Sequence, residues 1–231
     1  MTFSLDSIQL GSSDPQRARA FYASALQASD VVRVGDFDEK PSGYQGYTVS
    51  YIVEQPTEVR SVLAAAEQAG ATVVKPAKKM LFGAFSGVFL APDGSFWKVA
   101  APTKKDTGPA LDSPKPTEIA VLLGVSEPKA SKKFYEALGM TTDRDYGNKY
   151  IDFAPAHSAC RLGLMTVDAL AKDSGAEKGS VGARNVVLEY RTASRDEADT
   201  ILRTAESAGG QAVSDSRFTD PDGYVWSVVT S

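Results

Sequence analysis

The sequence is poor in the residues that most often carry chemistry at neutral pH. Among 231 residues there is one cysteine, Cys160, and one histidine, His157. A lone cysteine excludes an internal disulfide and a thiolate cluster for a metal. The single histidine lies in APAHSA, a loop-like stretch, and reads as a surface loop residue rather than a ligand or base. Long apolar runs are missing too: nothing approaches the roughly 18 to 20 residues that span a bilayer. The start, MTFSLDSIQLGSSD, has no basic region followed by an apolar core, so a cytoplasmic protein with no membrane partner is expected. A basic excess is also absent. Lys and Arg number 25 against 29 Asp and Glu, a net charge of −4, which argues against nucleic acid. The short cluster Lys75, Lys78, Lys79 reads as a solvated edge. What remains, 42% hydrophobic and 23% charged residues, is ordinary globular material, long enough for two domains of about 100 to 115 residues.

The chain repeats itself. FYASALQ answers FYEALGM at an offset of 113 residues, AEQAG answers AESAG at 139, and PDG answers PDG at 129. The order is shared and the spacing is not. The second copy is 26 residues longer between the first two landmarks and 10 shorter between the last two. Between the copies, APTKKDTGPALDSPKPT has four prolines and no hydrophobic period, which marks a linker. The division is residues 1–101, linker 102–117, and residues 118–231.

Each copy divides again. DSIQL reads as a strand, and Asp14-Pro15 caps a helix burying Ala18, Phe21, Tyr22, Ala25 and Leu26. Strand-like DVVRV and YTVSYIV follow, then a helix with Val59, Val62, Leu63 and Ala66 on one face and Gly70 at its end. ATVVK, SGVFL and FWKVA are strands, the last pair turned by Pro92-Asp93-Gly94. The second copy runs EIAVLLGV, a helix burying Ala130, Phe134, Ala137 and Leu138, then KYIDF and CRLGLM. Its later helix carries the capping box Ser194 to Glu197 and an Ala198, Ile201, Leu202, Ala205 stripe. The result is an α+β chain of four strand–helix–strands units, each sheet covered by helices on one face and open on the other.

These landmarks resemble the vicinal oxygen chelate superfamily, the glyoxalase, bleomycin-resistance and extradiol-dioxygenase group, over nearly the whole chain. The resemblance rests on SSDPQRARAFY and VSEPKASKKFY, on APDGSFWKVA and DPDGYVWSVV, and on the AExAG helix ends. It implies four βαβββ units in two glyoxalase-like domains, a pseudo-dimer in one chain, with sheets curled into cups. It also implies that the first unit lacks a strand pair and that the second half lacks a counterpart of KPAKKMLFGAFSG, so the cups differ.

In the family's metalloenzymes, His, Gln or Glu side chains at fixed strand positions hold a divalent metal. Those slots fall on Ser7 and Ala120 in first strands, on Lys98 and Ser227 in last strands, and near Thr48 and Val187 between. None is a carboxylate or imidazole, and an ammonium at Lys98 would repel a cation. No metal and no other cofactor is therefore expected. Strand alternation places Phe96, Val225, Ser7, Gln9, Ala120, Leu122, Ser50, Ile52, Glu189 and Arg191 toward the cups. Trp97, Trp226, Ile8, Leu10, Val49, Tyr51, Val121, Leu123, Leu188 and Tyr190 turn to the helices, so the tryptophans read as core.

Ligand-facing candidates are Lys98, Phe96, Ser7, Gln9, Glu189, Arg191 and Ser227, with Phe82 and Phe85 on a glycine-punctuated rim at 80–87. Lys98 either contacts an anionic guest, or snorkels to the cup mouth or pairs with a nearby carboxylate, since an unpaired half-buried charge is costly. The two phenylalanines are either an aromatic lip or strand core. No catalytic residue stands out: nothing in the spacing makes a nucleophile–base pair, although Glu189, Arg191 or Lys98 remain available as acid–base groups. The expected function is a metal-free protein that binds or sequesters a small organic molecule, as a monomer or homodimer. The alternatives are a metal-dependent lyase, isomerase or dioxygenase, or a protein-interaction module with vestigial cups.

Overall fold

A computed structural model of the chain describes residues 2–28, 31–37, 43–80, 84–155, 160–177 and 181–230. The first unit is short: β1 (Ser7–Ser12), α1 (Pro15–Ala25) and β2 (Val32–Asp36). The second is complete, with β3 (Tyr47–Ile52), α2 (Pro56–Gln68), β4 (Thr72–Lys79), β5 (Phe85–Leu90) and β6 (Phe96–Ala101). The third runs β7 (Glu118–Val125), α3 (Pro128–Ala137), β8 (Thr142–Asp145), β9 (Ile151–Phe153) and β10 (Cys160–Thr166), then adds α4 (Val167–Ser174). The fourth is β11 (Val186–Thr192), α5 (Arg195–Ser207), β12 (Gln211–Ser214), β13 (Arg217–Thr219) and β14 (Val225–Thr230). Among the described residues no helix is long and apolar enough to cross a membrane.

Local signals place the helices. Asp14 Oδ1 accepts the Arg17 N–H at 3.0 Å and Pro15 presets the first turn of α1. Ser194 Oγ accepts the Glu197 N–H at 3.2 Å at the start of α5. The cap of α2 comes from outside its own unit. Asp106 of the linker accepts the Thr57 N–H at 2.6 Å and the Arg60 guanidinium at 2.7 Å. Gln55 Oε1 holds the N–H groups of Thr107 and Gly108. The proline-rich connection is thus strapped along α2 rather than swinging free.

Each sheet takes strands from both halves. One has six strands, ordered β12-β13-β14-β11-β1-β2; the other has eight, ordered β4-β5-β6-β3-β7-β10-β9-β8. The first unit pairs with the fourth through antiparallel β1 and β11, and the second with the third through antiparallel β3 and β7. Within every unit the first and last strands run parallel, which requires the helical crossover between them.

On the helix side the repeated aromatics of each half cluster within one continuous core, and Phe3 of the first half joins the second cluster, 4.8 Å from Trp226. Phe21 and Tyr22 of α1 meet Phe89 and Trp97, which stack at 6.2 Å and 0°. Phe134 and Tyr135 of α3 meet Phe218 and Trp226, which stack at 6.2 Å and 3°. The motif pairs that defined the repeat are joined here. Tyr22 Oη donates to Asp93 Oδ2 at 2.6 Å, and Tyr135 Oη donates to Asp220 Oδ2 at 2.5 Å. The acceptors are not equivalent, because Asp93 is the Asp of its PDG whereas Asp220 precedes the PDG of its copy. Asp222, the true counterpart of Asp93, instead accepts the Ser126 N–H and the Ser131 hydroxyl, each at 2.7 Å. Both tryptophans are fully buried in this core, as strand alternation requires.

Candidate functional site

The two concave faces have become unlike each other. On the eight-stranded sheet, Lys98 of β6, Ser50 of β3, Ala120 of β7 and Arg161 of β10 form one row across the strands. Above it lies α4, built from part of the 26-residue surplus of the second copy. Its Leu170 and Ala171 pack on Tyr44, Val88, Phe96 and Leu122, a hydrophobic cluster separate from the helix-side core. Phe96 contacts the Tyr44 ring edge-on at 5.5 Å. The polar contacts fix the same seat. Lys98 Nζ donates to Asp173 Oδ2 at 2.7 Å, and the Thr48 and Ser174 hydroxyls bond at 2.5 Å. Lys75 Nζ donates to the carbonyls of Lys172 and Asp173, each at 2.7 Å, neutralising the negative C-terminal end of α4. Burial pulls the Lys75 ammonium below the usual lysine range; Asp173 opposes that, while Lys98, Lys78 and Lys172 add to it.

The eight-stranded cup is therefore filled by the chain itself, and Lys98 has a carboxylate partner. The helix had a signal in the sequence: Val167, Leu170, Ala171 and Ser174 recur at i, i+3, i+4, i+7, with Asp168 in the first turn and Gly175 after the last. Gly175 takes the left-handed conformation, φ 77°, that ends such a helix.

Among the described residues the six-stranded sheet carries no such helix. Its row is Ser7 of β1, Glu189 of β11, Ser227 of β14 and Arg217 of β13. Register sets Glu189 opposite Ser7 and Ser50 opposite Ala120, each two residues from the positions counted for the middle slots, Val187 and Thr48. Ser7 Oγ donates to Glu189 Oε2 at 2.6 Å, and Arg33 Nη1 of β2 donates to the same oxygen at 3.0 Å. Ser7, Glu189 and Ser227 are buried, whereas Gln9, Val187, Val225 and Val229 are half-buried and Arg33, Arg191 and Arg217 exposed. One end is closed by Phe37, which lies over Gly11 so tightly that a Cβ there would stand 2.7 Å from its own. Gln9 lies across Gly35, where a Cβ would overlap its carboxamide. Phe37 was missed from sequence because the strand pattern ends before it.

The remaining expected residues are scattered. Phe85 lies on the helix face of β5, under α2, with the Arg60 guanidinium 5.2 Å from its ring centre; it is strand core and reaches neither cup. Phe82 and His157 fall outside the described residues. Arg191 donates its backbone N–H to Asp6 Oδ2 at 2.7 Å. Sequence order alone had put Ser7 and Lys98 in one domain, but they face different cups.

The donors do not suit a divalent metal. Glu189 is the sole carboxylate of its row, and its Oε2 already accepts from a guanidinium and a hydroxyl. The corresponding row of the other sheet offers an ammonium, a hydroxyl, a methyl and a guanidinium. Among the described residues no three His, Cys, Asp or Glu side chains converge.

No protein-family profile matches the sequence, and no curated protein matches it. Solved structures do match along its whole length. A variant of glyoxalase I from Zea mays superposes with a TM-score of 0.63 at 16% identity, covering 99% of this chain and 92% of that one. Wild-type maize glyoxalase I gives 0.61 at 15%, with the same coverage. A presumed dioxygenase from Bacillus subtilis subsp. subtilis str. 168 gives 0.64 at 14%, covering 99% and 85%. With paired units and two sheets that each take strands from both halves, the chain has a two-domain glyoxalase-like fold.

Proposed function

We propose that the protein binds a small organic molecule, without a metal ion, on the concave face of its six-stranded sheet. The observation that carries this reading is the asymmetry of the cups. Where α4 fills the eight-stranded face, the six-stranded face keeps half-buried valines beside a buried polar row. Val187, Val225 and Val229 offer an apolar floor; Ser7, Gln9, Glu189 and Ser227 offer a few directed polar groups, the usual composition of a ligand site. Arg33 and Arg217 bring positive charge to its sides. Because both sheets are assembled within one chain, a monomer suffices for the site. The likeness to glyoxalase I and a dioxygenase carries no reaction to this chain, since fold does not specify chemistry; among the described residues no three metal donors converge.

The test is a thermal-shift screen over planar aromatic natural products and antibiotics, followed by calorimetry of any hit. A hit should lose binding in Ser227→Trp and in Val229→Trp, each of which places an indole in the cup. A screen without hits, or a hit indifferent to both variants, would remove the reading.

A further inference from the structure

The missing strand pair of the first unit leaves a second cavity, outside both cups. In the third unit, β9 and β8 continue the sheet past β10 and α3 lies over them, with Tyr135 edge-on to Phe153 at 5.6 Å. In the first unit β2 is the last strand of its sheet, so among the described residues no further strand lies beside it under α1. The result is a groove of about 490 Å³, lined by Arg19, Tyr22, Leu26, Ala28, Val32 and Arg33 among others. That volume lies within the roughly 300–1,000 Å³ of small-molecule sites.

Among the described residues its lining is largely apolar and its charged groups are the guanidiniums of Arg19 and Arg33, the latter paired with Glu189 Oε2 at 3.0 Å. Arg19 Nη2 donates to the Val34 carbonyl at 3.1 Å, which leaves most of its five N–H donors for another acceptor. The same bond rules out the obvious protein occupant. A strand added to β2 would need its outward backbone groups, yet Arg19 holds the Val34 carbonyl and the Val32 N–H donates to Ala28 O at 2.9 Å. We propose that this groove binds a small amphipathic organic acid, its apolar body along Leu26, Ala28 and Val32 and its anionic head at the Arg19 guanidinium. The groove lies outside the cup, with Arg33, bound to Glu189, standing between the two.

The test titrates octanoate, decanoate and decanol into the full chain by calorimetry. Binding with one-to-one stoichiometry is expected, decanoate tighter than octanoate by about two- to four-fold per methylene, and decanol weaker than decanoate. Arg19→Gln should weaken decanoate by up to about five-fold, Ala23→Trp, on the exposed face of the groove wall, should abolish it, and Ser227→Trp in the cup should leave it unchanged. Thermal melting confirms that each variant is folded. Decanoate binding that persists in Ala23→Trp, binding of decanol as tight as decanoate, loss in Ser227→Trp, or no heat up to about 1 mM would each overturn the assignment.

Discussion

Lys98 Nζ sits 2.7 Å from Asp173 Oδ2, so the lysine at a family metal slot anchors the helix that fills its own cup. Both side chains are largely shielded, so losing one partner leaves a poorly solvated charge. Asp173→Ala should lower stability by about 1–3 kcal/mol and speed amide exchange in 167–174 ahead of the sheets. The paired change Lys98→Met with Asp173→Leu should recover most of the loss. Urea titrations and hydrogen exchange decide it; unchanged exchange in α4 would show that the ion pair does not hold the helix.

Asp220 makes a pH-dependent contribution of the unusual sign. Burial pushes its carboxyl up to about 6, although Tyr135 and the N–H groups of Asp222 and Tyr224 donate to it. The unfolded chain titrates this group near 3.8, so between those values the folded state binds the extra proton. Its stability contribution is full at low pH and declines as pH rises through about 6, by at most about 3 kcal/mol. Asp220→Asn, which keeps an acceptor for Tyr135, should remove that component. Urea midpoints of the two proteins should therefore diverge between pH 4 and pH 7; parallel profiles would contradict it.

The two PDG aspartates should not respond alike. Asp93→Ala strips the buried hydroxyl of Tyr22 of its carboxylate partner and should cost about 2–3 kcal/mol. Asp222→Ala removes an outer cap on Ser126 and Ser131 and should cost about 0.5–1 kcal/mol. Chemical denaturation of the two variants side by side ranks them, and equal losses would refute the division of labour.

Cys160 is buried in β10, and burial holds its thiol well above the usual range. Thiol-specific reagents attack the thiolate, so labelling should be negligible in the native protein at pH 8 and complete in denaturant. Rapid native labelling would mean that β10 is accessible.

Much of this fold is legible from short-range pattern. Alternation along FWKVA and VWSVV sends both tryptophans to the helix side, where the structure has them, because the period of a strand is a local property. Which strand lies beside which is not local. That Ser7 meets Glu189, 182 residues away, depends on the first unit pairing with the fourth, and no periodicity encodes the partner. For the same reason the register that sets Glu189 beside Ser7 and Ser50 beside Ala120, two residues from Val187 and Thr48, could not be read from the sequence. The surplus of 26 residues was visible as a length, and the i, i+3, i+4 pattern of α4 lies within that region. Its destination inside a cup depends on Lys98 and Thr48, contributed by the other half of the chain.

The claim that the six-stranded cup is a metal-independent ligand site is tested most directly by one calorimetric comparison. A screening hit is titrated into wild type before and after exhaustive chelation, and into Ser227→Trp. Equal affinity across chelation, with binding lost in the variant, is the predicted result. Affinity that depends on restored metal, or that survives the filled cup, would contradict it.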